Sequence, residues 1–110
     1  MTRADSRTWT VAEAKAALEA SGAEFVTLFS QGTLEVEIYR PVGVDRQRPH
    51  DKDELYVVIA GSGTFVHAGE RTPFQAGDTL FVRAGIPHRF EEFTPDFATW
   101  VFFWGPKGGE

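Results

Sequence analysis

Two histidines and one glutamate carry the most chemistry this sequence offers. His50 ends a loop rich in Gly, Pro and charges, and Glu54 opens a dense β-branched run. In an extended strand, residues two or four apart share a face. The His50 imidazole and Glu54 carboxylate can therefore point the same way, with Tyr56 and Val58 further along. His88 heads a later strand behind the turn Gly85-Ile86-Pro87, and Phe90 and Glu92 follow on its face. Two imidazoles and a carboxylate brought together on neighbouring strands make a facial ligand set. Such a set suits a divalent metal ion (Fe, Zn, Mn or Ni) and leaves positions open for water or substrate.

Composition restricts what else can act. The chain has 110 residues, with 16 acidic and 11 basic side chains, three histidines and no cysteine. The length fits one domain. Without cysteine there is no disulfide framework, zinc finger, iron–sulfur cluster or thiol nucleophile. Any metal must be held by His, Asp, Glu or weaker oxygen and amide ligands. The net charge of -5, with no run of Lys or Arg, argues against a nucleic-acid partner. The first ten residues lack the apolar core of a secretory signal. No apolar run approaches the roughly 18 residues of a membrane helix. The expectation is a cytoplasmic globular protein with a small-molecule partner, no nucleic acid and no membrane. Ten Phe residues lean the chain toward β structure.

The elements that must position these residues follow from local signals. Residues 1–9 read as an extended arm, with Trp9 the candidate to anchor it on another subunit. Thr10-Val-Ala-Glu13 is a capping box for one helix, which Gly22 stops after about three turns. Short strands follow: Glu24–Ser30, Thr33–Arg40, Glu54–Ala60, Thr64–Ala68, Arg71–Gln75, Thr79–Val82, His88–Phe93 and Phe97–Trp104. Thr33–Arg40 alternates, with Leu34, Val36 and Ile38 on one face and Glu35, Glu37 and Tyr39 on the other. Short strands at regular spacing indicate a sandwich or barrel. The last strand is apolar on both faces, so it needs cover from two layers or from a second subunit, and a homodimer is expected. Gly105–Glu110 reads as a solvated tail. His67 matches no motif and reads as a partly exposed strand residue.

The two histidine-bearing stretches resemble the motifs of the small single-domain cupins. Gly43, His50, Glu54 and Gly61 match the first motif, in which a Gly, a His pair, a Glu and a closing Gly recur at fixed gaps. Gly77, Gly85 and His88 match the second. The resemblance covers residues 34–104. It implies an all-β, single-domain cupin-type β-barrel or jelly roll with a short N-terminal helix. The implied organisation is an arm, helix and first strand over 1–33, the barrel domain over 34–104 and the tail over 105–110.

The resemblance also implies metal ligands His50, Glu54 and His88. Three positions depart from the family pattern. Arg48 replaces the first His of the pair, and guanidinium cannot ligate because it stays protonated. Arg83 replaces the Pro of the second motif, and Glu92 replaces its closing Asn. Gln47 is the candidate to fill the fourth position through its amide oxygen. Glu92, on the face of His88, is a candidate ligand or base, and Tyr56 a candidate to hydrogen-bond a ligand. Arg48 and Arg83 fit surface ion pairs, or pairing with a ligand's carboxylate or phosphate. The expected function is a metal-dependent enzyme of dioxygenase, isomerase or decarboxylase type acting on a small oxygenated metabolite. The alternative is a non-catalytic binding or regulatory module whose metal is structural or absent.

Overall fold

A computed structural model describes residues 8–110. The expected arm therefore falls largely outside the described residues. Helix α1, Val11–Ser21, begins as the sequence dictates. Thr10 Oγ1 accepts the Glu13 N–H at 3.1 Å and Glu13 Oε1 accepts the Thr10 N–H at 3.1 Å. Such a cap stabilises a helix by about 1 kcal/mol. Gly22 ends it in the left-handed region at φ 68°, where a Cβ would be strained.

Eight strands follow: β1 Phe25–Gln31, β2 Leu34–Tyr39, β3 Asp53–Ala60, β4 Ser62–His67, β5 Glu70–Gln75, β6 Thr79–Val82, β7 His88–Glu91 and β8 Ala98–Trp104. They form a five-stranded antiparallel sheet, β1-β2-β8-β3-β6, and a three-stranded one, β5-β4-β7. The expected turn Gly61-Ser62-Gly63 is shorter in the structure. Only Gly61 interrupts the chain, and Ser62 and Gly63 already pair with β5.

Register explains the two-sided apolarity of β8. Its Thr99, Val101 and Phe103 pair across with Tyr39, Glu37 and Glu35 on β2 and with Val58, Tyr56 and Glu54 on β3. This inner face closes on the small sheet through Phe65, Phe74, Phe90 and Phe97. On the outer face, Ala14 and Leu18 of α1 bury Ile38, with Trp100, Val26, Leu28 and Ile59 packed around them. Phe81 and Trp104 stack at 6.1 Å beyond the helix, and Phe81 stays 51% exposed. The central strand therefore lies between two layers within one chain. Among the described residues no helix is long and apolar enough to cross a membrane.

Residues 105–110 differ from expectation. They are not simply solvated, because they return to the start of β3. The Gly108 N–H donates to the Asp51 carbonyl at 2.6 Å, and the Glu110 N–H donates to Asp53 Oδ2 at 3.2 Å. Asp53 Oδ1 also accepts the Ala84 N–H at 3.0 Å. Gly-rich composition suggested solvent, but backbone N–H groups need acceptors wherever they lie.

One glycine is required by space as well as conformation. Gly61 has φ 84°, and a Cβ there would stand 2.7 Å from Phe97 Cα and 2.8 Å from Phe97 N. Neither backbone atom can swing away. Gly69, at φ 86°, has open space around the same position. Urea unfolding should show Gly61→Ala costing about 3 kcal/mol and Gly69→Ala about 1 kcal/mol. Equal losses would contradict the close approach of Phe97.

Candidate functional site

The inner face of the large sheet opens beside the β2–β3 loop into a cavity of about 360 Å³. Strand alternation puts Glu35, Glu37 and Tyr39 of β2 on its wall, with Val101 and Phe103 of β8 and Glu54 of β3. The loop adds Gln47, Arg48, His50 and Lys52. Lys52 Nζ pairs with Glu35 Oε1 at 3.3 Å.

At the floor, Glu54 is 1% exposed. His88 Nε2 lies 2.9 Å from Glu54 Oε1, and His50 Nε2 lies 3.9 Å from Glu54 Oε2. Neither Glu54 oxygen receives a properly directed hydrogen bond. The 2.9 Å contact satisfies proximity but not direction. A carboxylate this buried normally collects donors, because desolvating it without compensation is costly.

The neighbouring hydrogen bonds have only one consistent direction. Asp45 is buried and accepts from the Tyr39 hydroxyl at 2.5 Å, the Gln47 N–H at 3.0 Å, Gln47 Nε2 at 2.7 Å and the Phe90 N–H at 2.8 Å. An ionised carboxylate only accepts, so the Gln47 amide must turn its nitrogen to Asp45. Its oxygen then faces Tyr56, whose hydroxyl donates to it at 2.9 Å. His88 Nδ1 lies 2.8 Å from the Ile86 carbonyl and must donate there. That leaves His88 Nε2 facing two oxygens, Glu54 Oε1 and the Tyr56 phenol at 3.0 Å. Burial pulls the His88 imidazole down. Glu54, the Ile86 carbonyl and Asp45 outweigh it and hold the group above its ordinary value. Burial and the Glu54 charge push the Tyr56 phenol well up, so it stays a hydroxyl.

The structure thus brings His50, Glu54, Tyr56 and His88 together, with Gln47 behind Tyr56. Gln47 spends its oxygen on Tyr56 and its nitrogen on Asp45. Glu92 is not brought there, which corrects the expectation that it shares the face of His88. Strand β7 ends at Glu91, and Glu92 adopts a left-handed φ of 53°. Its side chain is 71% exposed and pairs with Arg71 Nη2 at 2.5 Å. Arg83 is exposed, and Arg48 is an exposed residue of the cavity rim. His67 stacks on Phe65 at 6.1 Å.

The residues present fit a cation. A buried carboxylate with two unfilled oxygens is flanked by two imidazole Nε2 atoms and a phenol oxygen. Among the described residues no group of three or more His, Asp or Glu side chains stands in a geometry that could hold a metal ion, so His50, Glu54 and His88 are neighbours and not a formed ligand set. Sequence reasoning did not single out Asp45, Glu35 or Glu37. Alternation in β2 put both glutamates on one face, but nothing in it said that the face lines a cavity.

Comparison with known proteins agrees with this architecture. The family model described as the cupin domain matches residues 32–104. The chain belongs to the cupin family. An uncharacterized protein of Streptomyces coelicolor is 33% identical to this cupin over 63 residues, covering 57% of this chain and 60% of that protein. The lactose operon transcription activator of Staphylococcus xylosus is 33% identical over 60 residues, covering 54% of this chain and 20% of the activator. The cupin therefore spans less than two thirds of either relative. The solved structure of KdgF from Halomonas sp. superposes with a TM-score of 0.63 at 16% identity, covering 74% of this chain and 78% of that one. That likeness concerns the fold.

Proposed function

We propose that this cupin holds a divalent metal ion between His50, Glu54 and His88 and acts as a metal-dependent enzyme on a small oxygenated metabolite. The observation that carries the reading is Glu54, buried at 1% exposure with no directed donor on either oxygen. A divalent ion bound there supplies the missing positive charge and polarises an oxygen of the ligand as a Lewis acid. The protein does the rest. The Ile86 carbonyl fixes the ring of His88 so that Nε2 faces the centre, a role that outer hydrogen bonds commonly play at metal sites. Tyr56 sets its phenol oxygen beside the same nitrogen while its O–H donates to the Gln47 amide oxygen. Val101, Phe103 and Tyr39 limit water around the floor.

A metal titration of chelator-treated protein tests the reading. Thermal stability should rise and level off at one equivalent per chain. At a free metal concentration of 100 times Kd the gain is about 2.7 kcal/mol. His88→Ala should show no rise. A full rise in that variant would place the metal elsewhere.

A second reading, a ligand-sensing domain, draws on the likeness to the lactose operon transcription activator. A ligand recovered unchanged after prolonged incubation with metal-loaded protein would favour sensing. A consumed ligand would favour the enzyme.

A further inference from the structure

Glu37 is the cavity carboxylate that the proposed metal does not explain. It projects from β2 between Thr27 and Val101 and lies half-buried on the cavity wall. The Thr27 hydroxyl donates to its Oε2 at 3.2 Å. Among the described residues no Lys, Arg or His forms an ion pair with it. Of the other wall carboxylates, Glu35 has Lys52 at 3.3 Å, Asp51 is exposed, and Glu54 lies beside two imidazoles. Burial raises the Glu37 carboxyl against the Thr27 hydrogen bond, and the charges of Glu35 and Glu54 raise it further. A positive group placed beside it would offset the charges of Glu35 and Glu54 and pair with the carboxylate.

The surroundings restrict what kind of cation fits. Phe25, Tyr39, Val101 and Phe103 line the same cavity, and Phe25 is 54% exposed. A primary ammonium needs three acceptors for its three N–H groups. Beside Glu37 the lining supplies the apolar side chains of Phe25, Val101 and Phe103, with Arg48 and Lys52 elsewhere around the cavity. An alkylated cation needs none, and aromatic faces attract it through their quadrupole. Glu54, buried, without directed donors and part of the same lining, marks where the other end of the ligand would approach. Glu37 stands two strands across from β3, about 10 Å backbone to backbone, so a short molecule reaches both.

We propose that the wall formed by Glu37, Phe25 and Phe103 is a subsite for an alkylated onium group, making the ligand a small organic cation with an oxygen-bearing end directed to His88 and Glu54. The directed oxygen rests on the metal reading, while the onium preference does not.

The test uses choline and 3,3-dimethylbutan-1-ol, which share shape and hydroxyl but differ in charge. NMR titration of the full chain should show choline binding at least tenfold tighter. In Glu37→Gln the two should bind within twofold of each other. Glu70→Gln, an exposed acid on β5, controls for the general acidity of the protein and should keep the preference. Equal binding in the wild type, binding of neither compound, or a preference that survives Glu37→Gln would overturn the subsite. Metal content is measured on the same samples. One equivalent of metal without onium preference sinks only the subsite. An onium preference with no metal sinks only the metal reading.

Discussion

Replacing Glu54 with Gln is expected to abolish metal binding while leaving the metal-free protein as stable as wild type, or more so. The two effects have one cause. Glu54 is buried without a directed donor, and an uncompensated buried charge is destabilising. Gln removes the charge, keeps the volume and can donate toward His88 Nε2, which then loses its proton. Metal-free Glu54→Gln should match wild type or exceed it by about 1 kcal/mol. With metal at 1,000 times the wild-type Kd, wild type gains about 4.1 kcal/mol and the variant gains nothing. Urea unfolding with and without metal separates the terms. If metal-free Glu54→Gln loses several kcal/mol, the carboxylate is serving the fold rather than a cation.

The second large effect lies in the aromatic layer behind the site. Phe90 is 1% exposed and meets four rings: Phe97 at 4.6 Å, Tyr56 at 4.9 Å, Phe65 at 5.1 Å and Phe74 at 5.3 Å. Tyr56 comes from the large sheet, Phe65 and Phe74 from the small one and Phe97 from the segment before β8, so Phe90→Ala opens a cavity that neither sheet can fill alone. Its cost should be about 3–5 kcal/mol. Phe81→Ala, on the exposed outer face, should cost well under half of that. The urea midpoints of the two variants check the ranking. Equal losses would show that the core does not centre on Phe90.

How much of this could be read in advance depends on the residue. His50, Glu54 and His88 were legible because strand periodicity fixes faces and two motifs recur at set gaps. Family membership and the β-rich fold followed from the same spacing. Tyr56 was legible through its place on the face of Glu54. Asp45 was not, because its four donors come from β2, its own loop and β7, and no local signal connects them. Glu92 misled because alternation was extended one residue past the end of β7, where a left-handed residue turns the side chain outward. The tail misled because composition describes side chains, whereas Gly108 and Glu110 dock through backbone N–H groups. The β2 alternation fixes two faces but does not say which of them meets a cavity. Leu34, Val36 and Ile38 lie on the outer face, where α1 buries Ile38, and the Glu35–Glu37–Tyr39 face lines the cavity.

The proposed function stands or falls with a divalent ion bound between His50, Glu54 and His88. Anomalous diffraction from crystals grown with zinc tests it most directly. One strong peak per chain is expected, about 2.0–2.2 Å from Nε2 of His50, Nε2 of His88 and a Glu54 oxygen. A zinc-loaded crystal with no peak there, or with its strongest peak on surface carboxylates, would contradict it.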